Sequence, residues 1–152
     1  MTAHSYTRDI TVSNTPNAAY RALTSEFDKW WTSSSGSVTG MNTVTFRFDP
    51  TYWTMRATNL VPNECVELEC IEAHHIHEGL PESILNEWEG TKLIWQIQQE
   101  GENTKIMFTH DGLIPSLDCY DVCEAGWDHF FVNSLKGYLD NGEGNPDAAK
   151  EK

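Results

Sequence analysis

The residues of this chain that are best suited to chemistry are its histidines and cysteines. Three of the histidines form the motif His74-His75-x-His77, and imidazoles this close together can ligate zinc. An alternating backbone, however, directs His74 and His75 to opposite faces, and neither an H-E-x-x-H motif nor a paired-cysteine motif accompanies them. A solvated loop is therefore the favoured interpretation of this motif, and we expect no metal ion and no cofactor.

A second group of candidates combines a carboxylate with imidazoles for acid–base chemistry. Counting every second residue from Val66 places Glu72 and His74 on the inner face of a strand, and counting from Ile106 places His110 there. The three side chains would then lie at one end of a sheet, with His74 and His110 ~10 Å apart. We expect His110 to be the principal polar group that faces a ligand; the alternative is a core histidine that bonds to the backbone.

The cysteine pattern favours reduced thiols. The four cysteines fit a reduced cytoplasmic chain better than a disulfide scaffold. Cys119 and Cys123 have the spacing of one helix face, which predicts two buried thiols rather than a redox pair. The first residues lack the basic and apolar regions of a secretory signal, and no stretch approaches the ~18 apolar residues of a membrane helix. We therefore expect a cytoplasmic location.

Length and charge limit the classes of function. The chain has 152 residues, the size of one domain, and its 10 basic and 23 acidic residues give a net charge of −13. So acidic a protein does not suit nucleic acid, whose phosphates require clustered lysine and arginine, and it is repelled by an anionic membrane surface. We therefore expect a globular domain that binds neither nucleic acid nor membrane.

Hydrophobic periodicity predicts the elements that must position these residues. Residues 5–12 alternate as a strand, and Thr15-Pro16 begins a helix that a second short helical turn follows. Residues 37–110 keep a period of two almost throughout, interrupted by a long loop over 74–90 that could hold a short helix at 82–87. Short turns between the strands indicate an antiparallel meander of six or more strands.

The C-terminal part of the chain predicts a long amphipathic helix. A broad apolar stripe runs from Pro115-Ser116, where the serine would cap the helix, to Asn141-Gly142, where the glycine would end it. Gly126 lies inside this helix at a cost of ~1 kcal/mol relative to alanine, which indicates close packing or a bend. We therefore expect a leucine at position 126 to overpack the interior.

Several short motifs along the chain resemble those of one known superfamily, and the C-terminal motifs are the more specific ones. The motifs are Thr15-Pro16, Ala22-Leu23-Thr24, Trp30-Trp31, Thr109-His110-Asp111-Gly112-Leu113, Cys119-Tyr120-Asp121, Gly126-Trp127, Ser134-Leu135-Lys136, Tyr138-Leu139 and Gly142-x-Gly144-x-Pro146. On these residues, which cover roughly 5–146, the chain resembles the START-like (SRPBCC) superfamily, in its branch of Hsp90-ATPase-activator-homologue-like proteins.

The resemblance implies an α+β helix-grip fold, in which a curved antiparallel sheet of six or seven strands surrounds a long C-terminal helix. Two short helices would lie near the N-terminus. The chain would form a single START-like domain over 1–142, followed by a polar and disordered tail over 143–152.

Members of the superfamily bind or transform hydrophobic small molecules in an apolar cavity between the sheet and the long helix. The resemblance therefore implies that this chain binds an apolar or amphipathic small molecule. One alternative is an enzyme that uses His110 with Glu72 or His74 as acid–base groups on such a ligand. Another is a chaperone-linked interaction module.

A helix-grip cavity would be lined by inward-facing side chains of the sheet and of the C-terminal helix. Trp53, Trp95, Trp127 and Phe131 should border it, because four inward aromatic side chains cannot all pack flat under one helix. The volume of such a cavity should be ~300 Å³ or more. The complete set of expected cavity residues is Trp53, Trp95, His110, Trp127, Phe131, Phe46, Met55, Glu72 and His74.

Overall fold

The protein is built on one antiparallel sheet, seen in a computed structural model that describes residues 5–48 and 50–146. Within these residues the sheet has seven strands: β1 (Tyr6–Val12), β2 (Ser33–Ser34), β3 (Thr43–Phe48), β4 (Thr51–Val61), β5 (Cys65–His74), β6 (Lys92–Glu100) and β7 (Asn103–Asp111). They lie in the order β1-β7-β6-β5-β4-β3-β2, so consecutive strands from β2 to β7 are neighbours and β1 pairs with β7. The predicted meander is confirmed.

The inner face of the sheet carries the apolar positions that the period of two predicted. Along β3 to β7, alternate side chains point into the interior and are buried. They include Val44, Phe46, Trp53, Met55, Ala57, Val66, Leu68, Cys70, Leu93, Trp95, Ile97, Ile106, Phe108 and His110. The sheet is therefore half-buried, with this face as one wall of the core.

Two short helices follow β1, as predicted. They are α1 (Pro16–Ala22) and α2 (Phe27–Trp30). The Thr15 side chain caps α1, since its hydroxyl accepts a hydrogen bond of 3.0 Å from the Ala18 amide.

The long C-terminal helix has three consecutive parts with different geometry. They are α3 (Tyr120–Trp127), a π-helical segment (Asp128–Leu135) and α4 (Lys136–Asn141). Gly142 ends the helix in the left-handed conformation at φ 82°, as predicted. Trp127, Phe131 and Leu135 lie four residues apart and are all buried against the sheet.

The predicted start of this helix at Pro115-Ser116 is wrong, because the helix begins at Tyr120. A carboxylate from elsewhere in the chain binds the two backbone amides that come just before the helix. Glu87 accepts hydrogen bonds from the backbone N–H groups of Asp118 and Cys119, each at 3.0 Å. The residue that anchors the helix start therefore lies 31 and 32 positions away from the two amides in sequence, where a local capping pattern cannot reveal it.

Residues 143–146, placed by sequence in a polar tail, pack against the domain. The Asn145 amide donates to the Ser134 hydroxyl at 2.6 Å, and a side chain on Gly144 would meet the Lys29 carbonyl and the backbone of Trp30. Glycine at 144 permits this close approach. The rest of the predicted tail, 147–152, lies outside the described residues. Over the described part of the chain, no helix combines the length and the apolar character that crossing a membrane requires.

Candidate functional site

A cavity of about 450 Å³ lies between the sheet and the start of the C-terminal helix. Six of the fifteen described residues that line it are tryptophan or phenylalanine, and its rim reaches the surface at the exposed residues Pro50, Ile76, His77 and Glu78. The aromatic wall consists of Trp31, Phe48, Trp53, Trp88, Trp127 and Phe130. The volume falls within the ~300–1,000 Å³ of small-molecule sites.

Three different elements place the tryptophans that form the centre of the wall. Trp53 comes from the inner face of β4, and Trp127 from the end of α3. Trp88 follows a 3₁₀ helix (Glu82–Asn86) in the segment between β5 and β6. Its ring stacks on Trp53 with centroids 4.1 Å apart and planes 16° apart. The 3₁₀ helix lies where a short helix at 82–87 was one possibility within the predicted loop, and the residue that follows it, Trp88, supplies part of the cavity wall.

Gly126 also lines the cavity, and of the two alternatives predicted there, close packing or a bend, the structure contradicts close packing. A Cβ atom built on Gly126 meets no atom within 4 Å. The missing side chain leaves open space between α3 and the aromatic wall. Glycine at this position therefore contributes volume to the cavity instead of allowing the helix to approach the sheet.

The side chains expected in the cavity divide into two groups. Trp53 and Trp127 line it. The other apolar members lie in the closely packed core and are absent from the cavity wall: Phe46, Met55, Trp95 and Phe131 are 0 % exposed. Trp95 stacks on Phe108 at 5.0 Å, and Phe108 packs on Phe131 at 5.1 Å, so these rings fill the space that the prediction left open.

The predicted inward orientation of Glu72 and His74 is wrong, because β5 contains a β-bulge. Met55 of β4 pairs with Cys70, whereas the preceding Thr54 pairs with Glu72, which leaves Ile71 as an extra residue. An extra residue reverses the alternation beyond it. Glu72 is therefore exposed and His74 half-buried on the outer face, where Glu72 accepts a hydrogen bond from Tyr52.

The same reversal carries Ala73 and His75 to the inner side. Both are buried, and His75 is 4 % exposed although its motif was interpreted as a solvated loop. The His75 amide donates to the Leu85 carbonyl at 2.9 Å, and its ring packs on Trp53 with centroids 5.2 Å apart. The extra residue in β5 therefore places His75, and not its neighbour His74, at the cavity.

His110 lies on the inner face as predicted, but both of its ring nitrogens are bound to other side chains. Trp127 Nε1 donates to His110 Nδ1 at 3.0 Å, and His110 Nε2 lies 2.9 Å from Thr91 Oγ1. An indole nitrogen only donates, so Nδ1 of His110 accepts. The ring proton is therefore on Nε2, which donates a hydrogen bond to the Thr91 hydroxyl oxygen. The Thr91 hydroxyl in turn donates to the Trp88 carbonyl at 2.6 Å.

This network makes His110 a structural residue. Its side chain is fully buried and is not part of the cavity wall, and burial lowers its pKa to about 3. The ring is neutral at physiological pH and ties Trp127 and the segment carrying Trp88 to β7. The ring nitrogens of His110 are bound to side chains of Trp127 and Thr91, and not to the backbone groups of the alternative prediction, so neither nitrogen is directed into the cavity.

A second buried polar cluster borders the cavity. His75, Cys119 and Cys123 are all buried, and one potential ligand atom from each lies within 4.8 Å of the other two. A hydrogen bond with the Cys123 thiol, together with burial, raises the pKa of the Cys119 thiol. Trp88 Nε1 donates to Cys123 Sγ at 3.3 Å. Two sulfur atoms and one imidazole nitrogen are a donor set that zinc accepts.

Sequence reasoning missed several residues of the site, and the signals for them were of unequal strength. The helical spacing of Cys119 and Cys123 correctly predicted two buried thiols on one face. Trp88 had only the signal of a tryptophan within a segment lacking strand periodicity. His75 stood in the motif considered for zinc, but nothing in the local pattern showed that a bulge in β5 would bury it.

The comparisons with known proteins agree with the fold. The family model for activator of Hsp90 ATPase homolog 1-like proteins matches residues 13–140. The solution structure of the Aha1 dimer from Colwellia psychrerythraea is similar at a TM-score of 0.72 with 29% sequence identity, and the match covers 92% of this chain and 98% of that one. No curated protein sequence gives a match.

Two more distant solved structures share the fold alone. DynU16, a putative protein in the dynemicin biosynthetic locus, matches at a TM-score of 0.71 with 15% identity over 94% of this chain, which spans about half (49%) of DynU16. The protein MLL2253 from Mesorhizobium loti matches at a TM-score of 0.65 with 15% identity, over 84% of this chain and 92% of that one.

The seven-stranded antiparallel sheet, the two short N-terminal helices and the long C-terminal helix form the predicted helix-grip fold. The family model spans most of these elements, from the end of β1 to α4. The chain therefore belongs to the family of activator of Hsp90 ATPase homolog 1-like proteins, within the START-like (SRPBCC) superfamily.

Proposed function

We propose that the chain binds a planar, largely apolar small molecule in the cavity between the sheet and the C-terminal helix. The observation that carries this proposal is an aromatic-walled space of about 450 Å³ in a domain whose other aromatic side chains are closely packed. Protein interiors are normally filled at crystal-like density, so a space of this size has a cost in lost contacts. A bound molecule would restore those contacts.

The cavity wall supports a particular class of ligand. Flat indole and phenyl faces favour a planar molecule. Among the described residues the lining includes Glu78 and contains no lysine or arginine, so a neutral or cationic molecule suits it better than an anion. The buried Trp53 Nε1 has no hydrogen-bond partner among the described residues, which favours a ligand that carries an acceptor oxygen or nitrogen.

Native mass spectrometry tests the proposal directly. The gently purified protein is examined for a bound small molecule, and then with 2-naphthol and larger fused-ring phenols. A leucine in place of Gly126 would project into the cavity, so Gly126→Leu should reduce binding at least tenfold, whereas the matched control Gly126→Ala should change it little. Equal binding of the whole panel by wild type and Gly126→Leu, or no binding by either, would contradict the proposal.

The arrangement does not favour the enzyme alternative. Glu72 and His74 lie on the outer side of β5, and His110 is a neutral buried ring whose two nitrogens are already bound. The three groups therefore do not converge on one substrate position. An acid–base mechanism that uses them has no geometric basis.

A second candidate function is an interaction with the chaperone Hsp90. It rests on the family match and on the 29% identity to a protein described as an Aha1 dimer. If this chain acts in the same way, adding it to Hsp90 should increase the rate of ATP hydrolysis. Stimulation that persists in Gly126→Leu would assign this activity to a surface outside the cavity, and no stimulation by the wild type would remove the candidate.

A further inference from the structure

The buried cluster of His75, Cys119 and Cys123 is not explained by binding of a small molecule. Its potential ligand atoms converge within 4.8 Å of one another, although the residues come from two distant parts of the chain. His75 Nδ1 is buried and has no hydrogen-bond partner among the described residues. A buried polar atom without a partner has a desolvation cost that a bound group would offset.

We propose that His75, Cys119 and Cys123 bind a thiophilic metal ion, with Zn²⁺ as the ion that this donor set suits best. Soft sulfur donors favour Zn²⁺, Cu⁺ or iron–sulfur clusters, and oxygen-preferring Mg²⁺ and Ca²⁺ are disfavoured. One imidazole and two thiolates are also the protein ligands of some catalytic zinc sites, in which a fourth position stays open. This site goes beyond the proposed function and does not depend on it.

The spacing of the three donors is close to what one zinc ion requires. Zn–S bonds of ~2.3 Å and Zn–N bonds of ~2.0–2.1 Å in a tetrahedron place the ligand atoms ~3.5–3.8 Å apart. The upper limit of 4.8 Å in the protein is about 1 Å larger, a difference that side-chain rotation can remove. Each thiol loses its proton to solvent as its sulfur binds the ion.

The surrounding structure holds the backbone of all three ligand residues in place. Cys119 and Cys123 lie one helical turn apart, joined by the hydrogen bond from the Cys123 amide to the Cys119 carbonyl at 2.8 Å. Glu87 binds the amide of Cys119, and the Leu85 carbonyl binds the amide of His75, so the 3₁₀ segment holds both sides of the site. The indole of Trp88 donates to Cys123 Sγ, as outer-shell groups do at metal-bound sulfur.

The site also borders the cavity. His75 and Cys123 line its wall, whereas Cys119 is fully buried behind them. Three protein ligands leave one position for a water molecule or for an oxygen, nitrogen or sulfur atom of a molecule in the cavity. The ion would therefore add a polar anchor to a site whose walls are mainly apolar.

The experiment titrates the reduced, chelator-treated full chain with Zn²⁺ alone, in competition with a chromophoric chelator, and with Co²⁺ as a spectroscopic probe. We expect one ion per chain and a thiolate-to-cobalt charge-transfer band. Cys119→Ser, Cys123→Ser and His75→Gln should each weaken Zn²⁺ binding by more than the ~10–100-fold that loss of an outer-shell group costs. The two cysteine variants should also lose about half of the charge-transfer intensity.

Two control variants change similar residues outside the site. Cys65→Ser removes a partly exposed thiol, and His74→Gln removes the neighbouring histidine on the outer face of β5, so both should bind Zn²⁺ as the wild type does. Thiol alkylation of the wild type, mapped by mass spectrometry, needs no variant. Saturating Zn²⁺ should protect Cys119 and Cys123 selectively, even if a substituted chain fails to fold.

The same titrations can also contradict the proposed metal site. Three results would show that the three residues hold no metal. The wild-type chain could bind neither ion, or it could bind Co²⁺ without a thiolate band. The third result is a loss of Zn²⁺ binding in Cys65→Ser as large as in the variants of the site. Because these titrations contain no organic molecule, and the fused-ring panel is measured in the presence of chelator, the two proposals can fail separately.

Discussion

The interior of this domain has two ends that are equally aromatic but differently packed. At the closed end, Trp95 stacks on Phe108, and Phe108 packs on Phe131. At the open end, Trp53 and Trp88 stack on each other but face a cavity of about 450 Å³. Trp127 separates them, with its ring 4.7 Å from Phe108 on one side and 6.0 Å from Trp88 on the other.

The difference lies in the elements that meet at each end. Regular strand pairs bring the closed-end rings together, with Trp95 of β6 directly opposite Phe108 of β7. The open end is assembled from the bulged part of β5, the segment after the 3₁₀ helix and the end of α3, where Gly126 has no side chain. Aromatic content alone therefore does not determine where a core is filled; the irregular elements do.

The largest expected effect on stability comes from replacing one tryptophan at each end and comparing the two losses. Trp95→Ala should lower the free energy of unfolding by ~3–5 kcal/mol, because it removes a fully enclosed ring. Trp53→Ala should cost clearly less, since part of its ring already faces open space. The pair is matched, because neither indole nitrogen has a hydrogen-bond partner among the described residues. Urea unfolding measures both, and equal losses would remove the distinction between the two ends.

A second prediction concerns the histidine that joins the two ends. Burial lowers the pKa of His110 to about 3, whereas the unfolded chain takes up a proton below about 6.5. Stability from this group is therefore present above pH 6.5 and is lost as the pH falls, by ~1.4 kcal/mol per pH unit, or about 2 kcal/mol at pH 5.

His110→Gln removes this titration while a glutamine can still accept from Trp127 and donate to Thr91. Urea unfolding at pH 7.5 and pH 5 should therefore show a pH dependence about 2 kcal/mol smaller than that of the wild type. The control Gln99→Ala, at the exposed end of β6, changes no titratable group and should retain the wild-type dependence. A His110→Gln variant with an unchanged pH dependence would show that His110 is protonated in the folded protein.

A third prediction tests how the open end is held. Glu87 binds the amides of Asp118 and Cys119, so Glu87→Ala should lower the free energy of unfolding by about 1 kcal/mol, as loss of a helix cap does. Glu102→Ala, in the exposed turn between β6 and β7, serves as the control and should stay within ~0.5 kcal/mol of the wild type. Equal unfolding curves for the two variants would show that the carboxylate does not hold the helix.

The smallest expected effect is a gain in stability. Gly126→Ala adds a methyl group that meets no neighbour and removes the entropic cost of glycine in a helix, so it should stabilise the fold by ~0.5–1 kcal/mol. Thermal unfolding would show a small rise in Tm. A fall in Tm would mean that the helix does pack closely at this position, as the sequence had indicated.

The two ends also differ in how well they could be predicted. The closed end follows from alternation, because Trp95, Phe108 and His110 lie on regular strands where every second residue points inward. The open end depends on one extra residue in β5 and on a carboxylate that binds a helix start far along the chain. Neither leaves a periodic signal, so Glu72 and His74 were predicted inward in place of His75.

The indole N–H signals of the protein offer the most direct test of the distinction between the ends. The chain has six tryptophans, of which four line the cavity and two, Trp30 and Trp95, are enclosed in the core. Each signal is assigned by a tryptophan-to-phenylalanine variant, and the ¹H–¹⁵N spectrum of the wild type is then recorded during titration with 2-naphthol. We expect the signals of Trp53 and Trp88 to move with saturation while those of Trp30 and Trp95 stay in place. Movement of Trp95 without Trp53, or no saturable movement of any indole signal, would contradict a binding site at the open end.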